Sequence, residues 1–179
     1  MKIRKWNVVH SEIVFENSFM KIQKSHHCME DNSRDGDFFR LGFPDWANVI
    51  PMTDDGKIIL INQFRHGTLE FSTEIPGGVL ENGEKPLDGA RRELLEETGF
   101  TSDDWTYLGK VSPNNAIQTN FCHVFLAKGC RKTHDVQFDD DEEIEMFTAT
   151  QDELYALVSS GSIKNSVVLS ALLLNMCRK

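Results

Sequence analysis

Residues 78–100 read GVLENGEKPLDGARRELLEETGF, and the fold is decided in this stretch. The spacing predicts a helix over 86–98, because Leu87, Ala90, Leu94 and Thr98 share one face and Gly99 suits the left-handed position just past a helix end. On a helical wheel Glu93, Glu96 and Glu97 fall within about a 100° arc, opposite the Leu87/Leu94 stripe. Carboxylates at i, i+3 and i+4 repel one another by a few tenths of a kcal/mol per pair. Glu96 and Glu97 also sit in the last turn, where the helix dipole disfavours anions. A sequence selected for stability alone would avoid this arrangement. Clustered carboxylate oxygens on a rigid helix are what a hard divalent cation such as Mg²⁺ needs, and Arg92 supplies a fixed cation to orient one of them.

Outward from the helix the chain is mainly strand. Upstream, the apolar runs Ala47–Met52 and Lys57–Phe64 flank Asp54-Asp55-Gly56, a hairpin pattern, and Gly77-Gly78 reads as a turn. Residues 6–42 alternate short β-like runs (Ile13–Phe15, Met20–Ile22, Phe38–Leu41) with polar turns that include Arg34–Asp37. Downstream, strands are expected at Trp105–Val111, Phe121–Ala127 and Ile144–Ala149. Thr150-Gln151-Asp152-Glu153 has the form of a capping box, and a last helix begins near Ser162–Asn165, with Val168, Leu172 and Met176 on one side. Strands mixed with a few helices indicate an α/β sandwich.

With 179 residues, 40% hydrophobic and 26% charged, the chain has ordinary globular composition and is long enough to bury a core without covalent staples. Its formal net charge of −9, from 28 acidic and 19 basic residues, argues against nucleic acid as a partner. An anionic small molecule stays open, since a bound cation can reverse the local sign. Cys28, Cys122, Cys130 and Cys177 lack paired spacing and read as reduced thiols in a cytosolic protein. The polar, basic start carries no secretory signal, and Val167–Met176 is too short to cross a bilayer, so no membrane association is expected.

The stretch from Gly78 resembles the Nudix box, with Gly78, Glu84, Arg92, Glu93, Leu94, Glu96, Glu97, Gly99 and Phe100 at every defined position. The resemblance implies a Nudix-type α/β/α sandwich with a mixed β-sheet, here preceded by an antiparallel β extension over 1–45, with the hydrolase domain over 46–179. It implies hydrolysis of a nucleoside diphosphate linked to another moiety, with Mg²⁺ or Mn²⁺ bound along the diphosphate. By position, Glu93, Glu96 and Glu97 would be metal ligands, joined by the backbone carbonyl of Gly77. Glu93 would also act on the attacking water, Glu84 would support the cluster, and Arg92 would orient the glutamates.

Gln63-Phe64-Arg65 followed by Glu74-Ile75-Pro76-Gly77-Gly78 is similar to the ADP-ribose pyrophosphatase and nucleotide-sugar hydrolase branch. In that light Arg65 would reach a substrate phosphate and Glu74 would sit beside the metal cluster. The β-rich start would build a homodimer and help bind the base. Ser112-Pro113-Asn114-Asn115 departs from the Ser-Pro-Gly of ADP-ribose enzymes, which leaves GDP-mannose and other nucleotide sugars open. The acidic run Asp139–Glu143 lies where branch members place a further acid, and Glu142 is the candidate, with Glu143 second.

Other pairings carry less. His26-His27-Cys28 has no second pair at ligand spacing and reads as a surface loop, Cys122-His123 reads as strand packing, and Phe43 and Trp46 suit either base stacking or a core or dimer contact. Competing functions are a (d)NTP-cleaning hydrolase and a non-catalytic nucleotide sensor; the second would have no need to keep every box glutamate. The charge itself is localised. The box carries six acidic and three basic residues and the run 139–145 six acidic and none basic, so the remainder is neutral. Both clusters lie at the expected metal site.

Overall fold

The computed structural model describes residues 3–136 and 143–178. The chain divides into two compact units. The first runs up to Pro44 and takes in Ser112–Asn120; the second holds Asp45–Val111 and the chain from Phe121 onward.

The first unit is an antiparallel meander of β1 (Trp6–Glu16), β2 (Lys21–Met29) and β3 (Asp35–Gly42), in that order. Asn17 makes the first turn by accepting from the backbone N–H groups of Phe19 and Met20. The second turn lies at 30–33, where Asn32 adopts a left-handed φ of 57°. Arg34–Asp37, expected as a turn, instead leads into β3, with Asp37 paired to His26 across the ladder. Leu41 then exchanges backbone hydrogen bonds with Ile117 and Thr119, which fastens 112–120 to the meander.

The second unit is built on β4 (Trp46–Thr53), β5 (Ile58–Arg65), β6 (Glu70–Glu74), β7 (Gly77–Val79), β8 (Phe100–Thr101), β9 (Asp104–Val111), β10 (Cys122–Lys132) and β11 (Ile144–Ala149). Its order is β11-β5-β4-β10-β8, with β6 on β5, β7 on β4 and β9 on β10. The β4–β10 pair is parallel and the others antiparallel, so the sheet is mixed. Three helices accompany it among the described residues: α1 (Pro86–Thr98), α2 (Gln151–Ser159) and α3 (Ser166–Cys177).

Two cores explain why the central strands are apolar on both faces. Ile50, Ile58, Leu60, Val124 and Leu126 pack with Leu154, Val168 and Leu172 of α2 and α3. Their strand neighbours Val49, Ile59, Phe125 and Ala127 point the other way and pack with Ala90 and Leu94 of α1. The period of two in a strand therefore sends alternate residues to opposite helix layers, which makes this unit an α/β/α sandwich. The expected hairpin at Asp54–Gly56 is present, closed by the Thr53 N–H to Lys57 carbonyl bond, although β4 and β5 pair only at Met52 and Ile58 before diverging. The capping box at Thr150 and Glu153 forms, and Asn165 caps α3.

Candidate active site

α1 begins with Pro86 in its first turn and ends at Gly99, whose φ of 74° lets the Gly99 N–H reach the Leu95 carbonyl. Gly77-Gly78, expected as a turn, forms β7 and lies against β4. Glycine is required at Gly77, against backbone, and at Gly78 it leaves room for a carboxylate that a larger residue would displace. A Cβ on Gly77 would stand 2.3 Å from the Ala47 carbonyl oxygen, and one on Gly78 would stand 2.5 Å from Glu93 Oε1. The backbone of β7 is thus pressed against the carboxylates of α1. Together they line a cleft of about 400 Å³ in which Arg65, Arg92, Glu93, Glu96 and Glu97 meet the backbone of Gly77–Leu80.

Arg92 is the hub. Its Nε and Nη2 fork onto the two oxygens of Glu84 at 3.0 and 3.1 Å, and Nη1 donates to Glu93 at 2.9 Å and Glu96 at 3.0 Å. Nη2 also donates to the Val79 carbonyl at 3.0 Å, tying the helix to β7. The Glu84 hydrogen bonds raise the Arg92 pKa above its already high ordinary value. The same bonds hold the Glu84 carboxyl below the usual carboxylate range, against a smaller opposing effect of burial. Glu84 also accepts from the Glu81 N–H, which shapes the turn before α1.

Glu97, which the wheel sets with Glu93 and Glu96 away from the Leu87/Leu94 stripe, is nonetheless buried. It is 3% exposed and accepts from the Gly77 N–H at 2.8 Å. β7 covers this side of the helix, a contact that helical periodicity alone does not register. All the expected metal-ligand positions, Gly77, Glu93, Glu96 and Glu97, line the one cleft. Among the described residues no three acidic, histidine or cysteine side chains already converge in ligand geometry. Glu93 and Glu96 are both turned onto Arg92 instead. The donor chemistry nonetheless suits a hard divalent cation: three glutamates line the cleft, and no cysteine, methionine or histidine does.

Arg65, at the end of β5, lines the cleft and forks onto Glu74, with Nε to Oε1 at 3.0 Å and Nη2 to Oε2 at 2.9 Å. Glu74 is 2% exposed. Burial pushes its carboxyl up, but the hydrogen bonds and charge of Arg65, with further hydrogen bonds from Ser72 and Asn165, outweigh burial and hold it below its ordinary value. Sequence reasoning placed Glu74 beside the metal cluster; in the fold it stands behind Arg65. The involvement of Asn165, 91 positions later in the chain, has no local signature that could have revealed it.

Glu142 lies outside the described residues. Glu143 is exposed, and β11 starts immediately after it with Ile144 paired to Gln63, at the Arg65 end of β5. His26-His27-Cys28, expected as a surface loop, lies instead within β2, where the ladder to β3 brings His26 onto Asp35 and Asp37. Cys122 donates to Asn48, and burial, with the charge of Asp45, pushes its thiol up to about 12, so it stays protonated. Trp46 is half-buried on β4, opposite Val79, and Phe43 contacts Phe19 edge to face within the first unit.

A model of the NUDIX domain matches residues 43–165. An ADP-ribose pyrophosphatase of Bacillus subtilis is 36% identical over 67% of this chain, and the match spans 65% of that enzyme, a little under two thirds. A GDP-mannose pyrophosphatase of Yersinia enterocolitica is 27% identical over 92% of this chain and 91% of its own length. Among solved structures, an ADP compounds hydrolase superposes with a TM-score of 0.85 at 21% identity, over 98% of this chain and 95% of that one.

Proposed function

This chain belongs to the Nudix family, and from that premise we propose that it is a hydrolase of nucleoside diphosphate sugars, cleaving the diphosphate to a nucleoside monophosphate and a sugar phosphate. The observation that carries the reading is the cleft itself, which the box glutamates and Arg92 line together with Arg65. Relatives that act on ADP-ribose and on GDP-mannose support the substrate class.

Glu93, Glu96, Glu97 and the Gly77 carbonyl would hold Mg²⁺ or Mn²⁺. When bound, the cation neutralises the diphosphate and eases deprotonation of water. The chain's own residues do the rest. Arg65 presents a guanidinium to a phosphate, the geometry for which arginine is suited, and Glu74 serves the substrate from behind it. Glu93 accepts the proton of the attacking water. Arg92 keeps Glu93 and Glu96 in place, and Glu84 holds Arg92. An acid from the run before β11, Glu142 with Glu143 second, completes the site. The β extension over 1–45, with its exposed Val8, Val9, Ile13, Val14 and Phe39, acts in homodimerisation and base binding, and 46–179 is the hydrolase domain. The cytoplasm is the compartment that fits four free cysteines.

Release of phosphate from ADP-ribose, GDP-mannose and a set of NTPs, coupled to a phosphatase and run with and without Mg²⁺, tests the proposal. Metal-dependent turnover of the sugar compounds supports it. Preference for NTPs, or no turnover of any compound, overturns it.

A further inference from the structure

The turn between β7 and α1 carries a reactive dipeptide that the chemistry of the cleft does not use. Asn82 is the one asparagine of the chain followed by glycine, and both residues stand exposed on that turn. An asparagine side chain can cyclise onto the next backbone nitrogen, and glycine, having no Cβ, leaves that approach unhindered. Gly83 has a φ of 81°, and a Cβ placed on it would find nothing within 4 Å, so the space around the pair is open. Among the described residues neither the Asn82 side chain nor the Gly83 N–H has a hydrogen-bond partner. The asparagines that precede serine, another small neighbour, are all held. Asn17 accepts from two backbone N–H groups, Asn32 from the Cys28 thiol and Asn165 from the Val167 N–H.

The chemistry needs only water and its hydroxide. The Gly83 nitrogen loses its proton to hydroxide and attacks Asn82 Cγ. The new N–Cγ bond replaces the Cγ–Nδ2 bond, and the amide takes a solvent proton and leaves as ammonia. Water then opens the cyclic imide without any redox change. Attack at Cγ gives aspartate, whereas attack at the Asn82 backbone carbonyl carbon gives isoaspartate, in which the chain runs through Cβ and Cγ.

Isoaspartate lengthens the backbone by one carbon inside a turn that is closed twice. The Glu84 N–H donates to the Glu81 carbonyl at 3.0 Å, and the Glu81 N–H donates to Glu84 Oε2 at 2.9 Å. Glu84 has little room to adjust, since a Cβ on Gly89 would lie 2.9 Å from the same Oε2. Its carboxylate also takes the Arg92 fork at 3.0 and 3.1 Å. A turn that cannot keep both of its own bonds withdraws Glu84 from Arg92. We propose that Asn82-Gly83 is a site of spontaneous deamidation whose isoaspartyl product releases Arg92 from Glu84, giving the carboxylate cluster a finite chemical lifetime.

The test is to age the full chain in warm, mildly alkaline buffer and follow every asparagine-containing peptide by mass spectrometry, with electron-transfer fragmentation to tell isoaspartate from aspartate. Asn82 should gain the mass of an amide-to-acid conversion before any other asparagine, at a rate that rises with hydroxide. Asn82→Gln should block the change, because the longer side chain closes its ring poorly. The isoaspartyl form, resolved by chromatography, should melt about 4–8 °C below the parent, the shift expected from losing the two hydrogen bonds of the Arg92 fork. Asn82→Asp adds the same charge on a normal backbone and should melt within about 2 °C of the parent. Both readouts are made on the protein alone, so a failure of the hydrolase reading leaves them standing. An Asn82 that deamidates no faster than the asparagines before serine, or an isoaspartyl form that melts with the parent, overturns the inference. So does an Asn82→Asp protein that melts as low as the isoaspartyl form, since charge and not the lengthened backbone would then be the cause.

Discussion

Replacing Arg92 with alanine removes the hub of the cleft, and the cost can be worked out bond by bond. The two bonds to Glu84 and the one to Glu93 are made in half-buried surroundings, Arg92 itself being 27% exposed. At about 1 kcal/mol net each they come to about 3 kcal/mol. The Glu96 bond reaches a more exposed carboxylate and the Val79 bond lies at the surface, so both add little. In a chain of 179 residues each kcal/mol moves the thermal midpoint by about 2–4 °C, so Arg92→Ala should melt about 6–12 °C below the parent. Three acids, Glu84, Glu93 and Glu96, then face one another without their shared cation. Saturating Mg²⁺ should accordingly recover more of the midpoint in the variant than it adds to the parent. Calorimetric melts with Mg²⁺ and with chelator give both quantities. A variant that melts within about 2 °C of the parent, with no larger response to Mg²⁺, refutes the idea that Arg92 holds the acidic cluster together.

Gly78→Ala should leave the melt nearly unchanged while turnover falls at least about tenfold, because the new methyl would meet Glu93 Oε1 at 2.5 Å and the flexible carboxylate must move away; parallel melting and steady-state assays check it. Gly99→Ala should lower stability by at least about 1–2 kcal/mol in urea titration, since it meets both a φ of 74° and the His134 carbonyl oxygen 2.2 Å from its Cβ. The folded carboxyls of Glu74 and Glu84 lie below their ordinary values, so their stabilisation is present above the unfolded pKa of about 4.3 and is lost as pH falls through the lower folded value. Melts from pH 7 to pH 2 should therefore hold level and then decline, less steeply in Glu74→Gln; stability rising on acidification contradicts this.

What the sequence made legible follows from how local each signal is. Helix α1 reads directly because its ends are marked by Pro86 and Gly99 and its apolar face repeats within four residues. The capping box at Thr150 is equally local. Gly77-Gly78 misleads for a physical reason: glycine pairs usually mark turns, whereas here they let β7 press against β4 and Glu93. Arg34–Asp37 misleads similarly, since the left-handed residue the turn needs is supplied by Asn32. Glu97 shares the carboxylate arc of Glu93 and Glu96, and its burial comes from the covering strand, which helical periodicity does not register. The fork of Arg65 on Glu74 is a product of topology, joining residues on β5 and β6 that no periodicity connects.

The central claim is that the box glutamates perform metal-dependent hydrolysis, and the most direct measurement is kcat of Glu93→Gln with Mg²⁺ on the compound the parent turns over best. Glutamine keeps the shape and can still accept the Arg92 Nη1 hydrogen bond, so the fold should melt close to the parent. The expected result is a loss of kcat on the order of 10²–10⁴, the weight of a positioned proton acceptor. Full turnover by the folded Glu93→Gln protein would contradict it.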